Sequence, residues 1–395
     1  MSSDRVYPLA RPKGHKPPME RWKLEFDEPG QIHTVYIGVQ RHDSTPNTLA
    51  TFESATKAVE SWLEKNEECP QYEKFHFLEG DDLPESITWV AYWPDATTYN
   101  GHIALLNLRD IYTSLNKPPT IGLWTEQFST PTSRLETNYS GLDYLPGIAG
   151  LRGTQTVEHA LTAYWGAARD RIPDSGHDLF SPQPEHITQP PSTPPAGVGS
   201  YLTGLSPYDN LVHIRSGQFW ENCAPIEAEA YVTTLQPTLV AGLRYLWTNR
   251  SDSGAMGLRF LRNARDTHIN PSLSTSLSSA KGAAKHDPDP HPDPEAVAEG
   301  GDEAIAVAVT EAKETCAAGF FRNLSDLEQW AKRHKSHLAI FNGAIRHAKE
   351  FGEERKFRTW HEVSILKKGE ARFEYLNCRP GTGVMGYLPL EDEGI

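Results

Sequence analysis

No run of about 18 apolar residues occurs in the chain, so the sequence offers no membrane-spanning helix. The N-terminal MSSDRVYPLARPKGHKPP lacks the apolar core of a secretory signal. Basic residues are in deficit. Lys and Arg number 38 against 52 Asp and Glu, a net charge of −14, which leaves no excess for neutralising phosphates and argues against a general nucleic-acid or anionic-membrane binder. Cysteine is scarce too: Cys69, Cys223, Cys316 and Cys378 are widely spaced and form no C-x-x-C zinc pattern. Reduced thiols in a soluble cytoplasmic protein are the expectation. G-x-G-x-x-G and Walker A patterns are missing, which removes support for nucleotide cofactors.

What is present suits a packed core: 38% apolar residues and 10% aromatics, with 10 Trp among 395 residues. Prolines 8, 12, 17 and 18 predict an extended arm over residues 1–30. Alternation and β-branching predict strands over His33–Gln40, Ile87–Trp93 and Ile121–Phe128, and helical spacing marks Ala50–Lys65. GHIALLNL reads as a strand or a short helix. Val157–Arg171 reads as a helix with Arg169 and Arg171 in its last turn, placed either for the helix dipole or for an active site. Later come a strand at Asn210–Trp220, a helix at Ile226–Asn249 kinked near Pro237, and strands at Gly254–Asn263 and Ala317–Asn323. Strands Thr359–Leu366 and Ala371–Cys378 are joined by KKGE, read as a hairpin.

This order is that of the split β-α-β unit. It predicts an α+β single domain built from two ferredoxin-like halves, about 31–175 and 205–395, packed as one barrel-like core with surrounding helices. No residue-level repeat is visible between the halves. Residues 181–200 form a Pro-rich connection. Residues 267–302, rich in Ser, Pro, Asp and Gly, have too little apolar surface to offset ordering and read as a disordered insertion. His286 and His291 belong to that solvated charge.

Between Leu324 and Leu366 lie four histidines, His334, His337, His347 and His361. Ser325 and Glu328 suggest a capping box at the helix start. His337, Phe341, Ala344 and Ala348 fall on one helical face, able to meet a planar ligand or a sheet. His334 shares an apolar face with Leu327, Trp330 and Ala331 and competes with His337 as a ligand, whereas His347 reads as exposed. Period-2 alternation aligns His361 with Val363 and Ile365 facing inward, with Glu362 and Ser364 on the other side. Ser216 precedes Gly217 in IRSGQ. Ser216 with His361 would suit a serine hydrolase, but no G-x-S-x-G elbow surrounds it.

The pieces YPLARPKGHKPPMERW, TWVAYW, SRLETNYS, AYWGAARDR, HIRSGQFW, LEQWAKRHKSHLAIF, WHEVSIL and FEYLNCRPGTG, in this order, resemble the haem-containing dehydratases, the aldoxime dehydratases. The resemblance implies a dimeric α+β-barrel enzyme with non-covalent haem b; no C-x-x-C-H stands in the chain for covalent attachment. It implies conversion of an aldoxime to a nitrile and water through substrate nitrogen on ferrous iron. On this reading His337 is the proximal iron ligand and Phe341 lines the haem. His361 is the distal catalytic histidine and Ser216 the distal serine. Arg171, favoured over Arg169 by its spacing from Glu136, supports substrate binding. A haem carrier without turnover is the alternative.

Overall fold

Period-2 alternation makes the long strands two-sided, and here both sides are buried. In the computed structural model, residues 5–10, 14–27, 30–65, 71–115, 120–183, 197–264 and 313–395 are described. The first part of the chain runs β1 (Trp22–Phe26), β2 (Gln31–Arg41), α1 (Pro46–Leu63), β3 (Gln71–Gly80), β4 (Ile87–Trp93), α2 (Ala96–Ile103), α3 (Leu108–Ser114), β5 (Ile121–Pro131), β6 (Leu135–Tyr139) and β7 (Thr154–Glu158). The second runs β8 (Tyr201–Leu205), β9 (Leu211–Phe219), α4 (Pro225–Ala230), α5 (Gln236–Thr248), α6 (Arg250–Ser253), β10 (Ala255–Asn263) and β11 (Glu314–Phe321). It closes with α7 (Leu324–Arg333), α8 (Lys335–Phe351), β12 (Arg358–Leu366), β13 (Ala371–Leu376) and β14 (Glu391–Asp392).

All described strands join one sheet, and two runs within it share a plan. Strands β5-β2-β4-β3 and β12-β9-β11-β10 each stand in the order fourth, first, third, second of their own group, every neighbour antiparallel. The runs meet where β3 pairs β10. The sheet also curls, because Tyr36 on β2 lies 5.0 Å from His213 on β9, strands far apart in the sheet order.

Three of the four apolar clusters among the described residues follow from the alternation. Tyr36, Trp124, Phe320, Trp360 and Phe373 fill the inside of the curl. Val35, Ile37, Trp89 and Leu123 point the other way against α1 and α3. Val212, Ile214, Val363 and Ile365 do the same against α5 and α7. The two runs repeat a detail that the sequence hides. Gly38 pairs Trp124 and Gly217 pairs Trp360, and a Cβ on either glycine would fall about 2 Å from the facing indole. Each tryptophan begins a W-x-E unit, Trp124–Glu126 and Trp360–Glu362, whose glutamate is buried inside the curl. A residue-level repeat therefore exists, although too sparse to see by eye. By it Thr125 corresponds to His361 and Ile37 to Ser216, so at these paired positions the imidazole and the serine stand in the second half only.

Several expectations change. The arm contains β1, which pairs β7, and Ala10 N–H bonds both oxygens of Asp170 at 3.0 Å. The ambiguous GHIALLNL is helical in part, within α2. The predicted 157–171 helix is β7 followed by an irregular stretch and a 3-10 segment, Trp165–Arg171, with Ala167 at φ −122° and ψ 24°. Two side chains there bond the backbone that a helix would need: His159 Nδ1 accepts from Leu161 N–H at 3.2 Å and Thr162 Oγ1 from Tyr164 N–H at 3.2 Å. The kink near Pro237 is real, as a π-helical turn at Tyr231–Leu235. KKGE does turn, with Glu370 N–H bonding Lys367 O at 3.0 Å, but β12 pairs β9 and β6 while β13 pairs β5 and β8. The turn crosses the curled sheet and forms no hairpin, since Lys368 N–H and Gly369 N–H are held by Asp209 and Ser206. Asn323, not Ser325, caps α7 through its side chain, and Glu328 is engaged by Arg169. Residues 267–302 and most of 181–200 lie outside the described residues. Among the described residues no helix is long and apolar enough to cross a membrane.

Candidate active site

Antiparallel register assembles the site. It sets Asn138 of β6, His361 of β12 and Ser216 of β9 side by side in one row. Glu136 is two residues from Asn138 on β6, on the same face by alternation. This face looks toward the helices, so His361 points at the helical layer. Glu362 and Ser364 on the opposite side are buried as well, because that side is the interior of the curl.

His361 stands among N–H groups. Trp165 Nε1 donates to its Nε2 at 3.2 Å, with ring centroids 4.3 Å apart, and Asn138 Nδ2 lies 3.4 Å from its Nδ1. Burial, aided by the charges of Arg171, Arg21 and His337, holds its pKa well below the ordinary histidine value. The ring therefore rests neutral at neutral pH. Among the described residues no carboxylate bonds it, and neither ring nitrogen meets Ser216. That removes the geometric support for a serine hydrolase, whose histidine must contact both serine and an orienting acid.

The two candidate arginines differ in their partners. Arg171 Nε bonds Glu136 Oε1 at 2.5 Å in a fully buried pair, and Nη1 donates to Thr162 O at 2.6 Å and Tyr164 O at 3.2 Å. Burial pushes the Glu136 carboxyl up, and the adjoining Arg171 charge pulls it back. Arg171 Nη2 is left buried without a partner. Arg169 instead spends its guanidinium on Glu328, at 3.1 and 3.3 Å. The 3-10 segment thus turns Arg171 toward β6 and Arg169 toward α7.

His337 enters from α8. Its Nδ1 lies 3.0 Å from Ala331 O, and since a carbonyl can only accept, Nδ1 carries the proton and Nε2 keeps its lone pair. Burial lowers its pKa to about 4, which keeps that lone pair free at neutral pH. Trp330 packs edge-on at 4.7 Å and Tyr164 lies at 6.0 Å, with Phe341 4.9 Å from Tyr164. Beyond His337 the helix keeps Phe341, Ala344 and Ile345 only half buried. His334 is occupied elsewhere: its Nδ1 caps α8 from Ser336 N–H at 3.3 Å and its ring stacks on Tyr245 at 3.5 Å. His347 is not exposed as expected but 4% accessible, wedged between Phe351 and Phe357, because α8 turns that face onto the end of the sheet.

A lone-pair imidazole beside half-buried apolar and aromatic side chains is the donor set that haem iron takes from a protein. Among the described residues, no group of three or more His, Cys, Asp and Glu could hold a bare metal ion. The residues present fit haem, with His337 Nε2 as the available ligand.

Two polar residues of the site escaped sequence reading. Asn138 links His361 to His159, whose Nε2 lies 3.0 Å from Asn138 Oδ1. Only register could reveal them, since nothing local marks either one. Burial, then the charges of Arg171, Arg21 and Lys23, lowers the His159 pKa from 6.5 to about 4. A folded-state value below the unfolded one means that the unfolded chain binds the proton first. The stabilising contribution is therefore complete above about 6.5 and is lost as pH falls toward about 4. Urea midpoints of the haem-free protein should fall between about pH 7 and about pH 5, and less steeply in His159→Gln. An unchanged slope in that variant would remove His159 from the account.

Residues 35–384 match the family model described as haem-containing dehydratase. The chain belongs to this family. Its relatives in the family include the phenylacetaldoxime dehydratase of Bacillus sp. (strain OxB-1), 25% identical over 388 residues, covering 96% of this chain and 95% of that one. The aliphatic aldoxime dehydratase of Pseudomonas chlororaphis is 27% identical over 376 residues, covering 95% and 92%. A crystal structure of an aldoxime dehydratase has a TM-score of 0.72 at 25% identity, covering 98% of this chain and 96% of that one. A second, in complex with butyraldoxime, has a TM-score of 0.74 at 23% identity, covering 98% and 94%, a likeness of fold. This dehydratase family accommodates the α+β architecture described above.

Proposed function

We propose that the chain is a haem-dependent aldoxime dehydratase, converting R–CH=N–OH into a nitrile and water. One observation carries the reading: Ser216, His361 and Glu136, the partner of Arg171, share one sheet face, and His337 on α8 lies 6.0 Å from Tyr164, whose carbonyl Arg171 Nη1 binds. A carrier needs the ligand and not this polar set.

Haem b in its ferrous form, held without a covalent bond, would be ligated by His337 and supply a metal site for the oxime nitrogen that pushes electron density toward the N–O bond. The protein handles protons and position. Hydroxide leaves readily only after protonation, and His361, neutral at rest, would take up a proton from solvent and deliver it to the leaving oxygen, releasing water. The ring then recovers a proton from the substrate carbon as the C≡N bond closes, so one proton is lent and returned. Ser216 Oγ, which no described residue hydrogen-bonds, would hold the oxime oxygen beside His361. Arg171, immobilised by Glu136, has Nη2 free for the same oxygen. Phe341 and Tyr164 would border the macrocycle.

The repeated strand order supports a reading as two ferredoxin-like halves, at about 31–175 and 205–395, of a dimeric α+β barrel. Free Cys223, Cys316 and Cys378 accord with a reducing cytoplasm. Purified protein should show a Soret band that shifts on reduction and again on adding an aldoxime, with stoichiometric nitrile under dithionite. Haem without nitrile would favour the carrier; a colourless protein that cannot be reconstituted would sink both.

A further inference from the structure

A buried guanidinium is costly unless a carboxylate or several acceptors meet it. Arg134 meets a single acceptor, Asn210 Oδ1 at 2.6 Å, and three other buried arginines around the sheet meet carboxylates. Arg215 has Glu73, Arg259 has Glu126 and Asp82, and Arg171 has Glu136. Arg21 does not. It is 8% exposed, Nη1 is buried without a partner, and among the described residues no acceptor meets its guanidinium. Burial, and after it the like charges of Arg355 and Arg171, depresses its pKa to about 9. Arg171 Nη2 and Arg355 Nε are likewise buried and unpartnered. The chain fixes this placement firmly: Arg21 immediately precedes β1, and its carbonyl accepts from His159 N–H at 2.9 Å. Its charge is felt at both His159 and His361, so it borders the proposed site.

We propose that Arg21 is an anion anchor at the border of this site, and that its partner is a carboxylate of haem, a propionate. This rests on the haem reading above. An aldoxime is neutral, and its dehydration neither consumes nor releases an anion, so the reaction offers Arg21 nothing to bind. Haem brings two carboxylates, and its apolar ring suits the half-buried face of α8. Arg355 adds positive potential there, and Arg171 adds what its pairing with Glu136 leaves, so the propionate would offset like charges that otherwise repel one another.

The test compares haem with its dimethyl ester, which keeps the macrocycle and iron but lacks both carboxylates. Haem-free wild-type protein, titrated with each in reduced form and followed by absorbance, should bind haem at least about tenfold more tightly. Arg21→Met should lose most of that preference, and Arg21→Lys should keep part of it. Without porphyrin, Arg21→Met should melt at or above the wild-type temperature, because an unpaired buried charge has gone. Equal wild-type affinity for haem and diester overturns the proposal while leaving the haem reading intact, and needs no variant to fold. Retained preference in Arg21→Met overturns it too. Binding of neither porphyrin by wild-type protein overturns both.

Discussion

His337→Ala protein should purify without its Soret band and should regain one when imidazole is supplied with haem. The effect should be near total, because the variant removes the imidazole whose Nε2, among the described residues beside Tyr164 and Phe341, keeps its lone pair for iron. Nδ1 is committed to Ala331 O, which directs the Nε2 lone pair outward, and burial keeps it unprotonated. His334→Ala is the control. That residue caps α8 and stacks on Tyr245, so its loss should cost about 1 kcal/mol of stability and leave haem in place. Haem binding abolished by His334→Ala and retained in His337→Ala would overturn the ligand assignment.

His361→Ala should separate binding from chemistry. Haem content should match wild type, while turnover falls by about 10²–10⁴, the range for a lost general acid. Single-turnover absorbance should still report aldoxime binding, and nitrile should not accumulate. The expectation follows from the row in β6, β12 and β9: His361 is the group there that can both give and recover a proton. Ser216→Ala should have a smaller effect, since it withdraws a hydrogen bond and leaves the acid. A His361→Ala variant with wild-type turnover would remove the residue from the mechanism, and one without haem would make it structural.

Most strands were legible because alternating β-branched and aromatic runs declare themselves locally, as in ITWVAYW and NLVHIRSGQFW. Strand β3, with Glu73, Lys74 and His76 among its aromatics, was missed. Its polar residues are tolerated through partners elsewhere, such as Arg215 for Glu73 and Glu60 for Lys74. The 157–171 segment failed for the opposite reason. Its apolar spacing suits a helix, but His159 and Thr162 capture backbone N–H groups and turn it into a 3-10 connection. Burial of His347 was invisible because flanking Arg346 and Lys349 made it look solvated.

The sequence by itself determined the family resemblance, and through it nominated His337, His361, Ser216 and Arg171 with its partner Glu136. Their types and local motifs are properties of short stretches, which a chain states outright. Tertiary structure decided that Arg171 pairs with Glu136 and Arg169 with Glu328, which nitrogen of His337 carries the proton, and that Asn138 and His159 adjoin His361. Those facts depend on register between strands far apart in the chain and on a 3-10 turn set by side-chain hydrogen bonds.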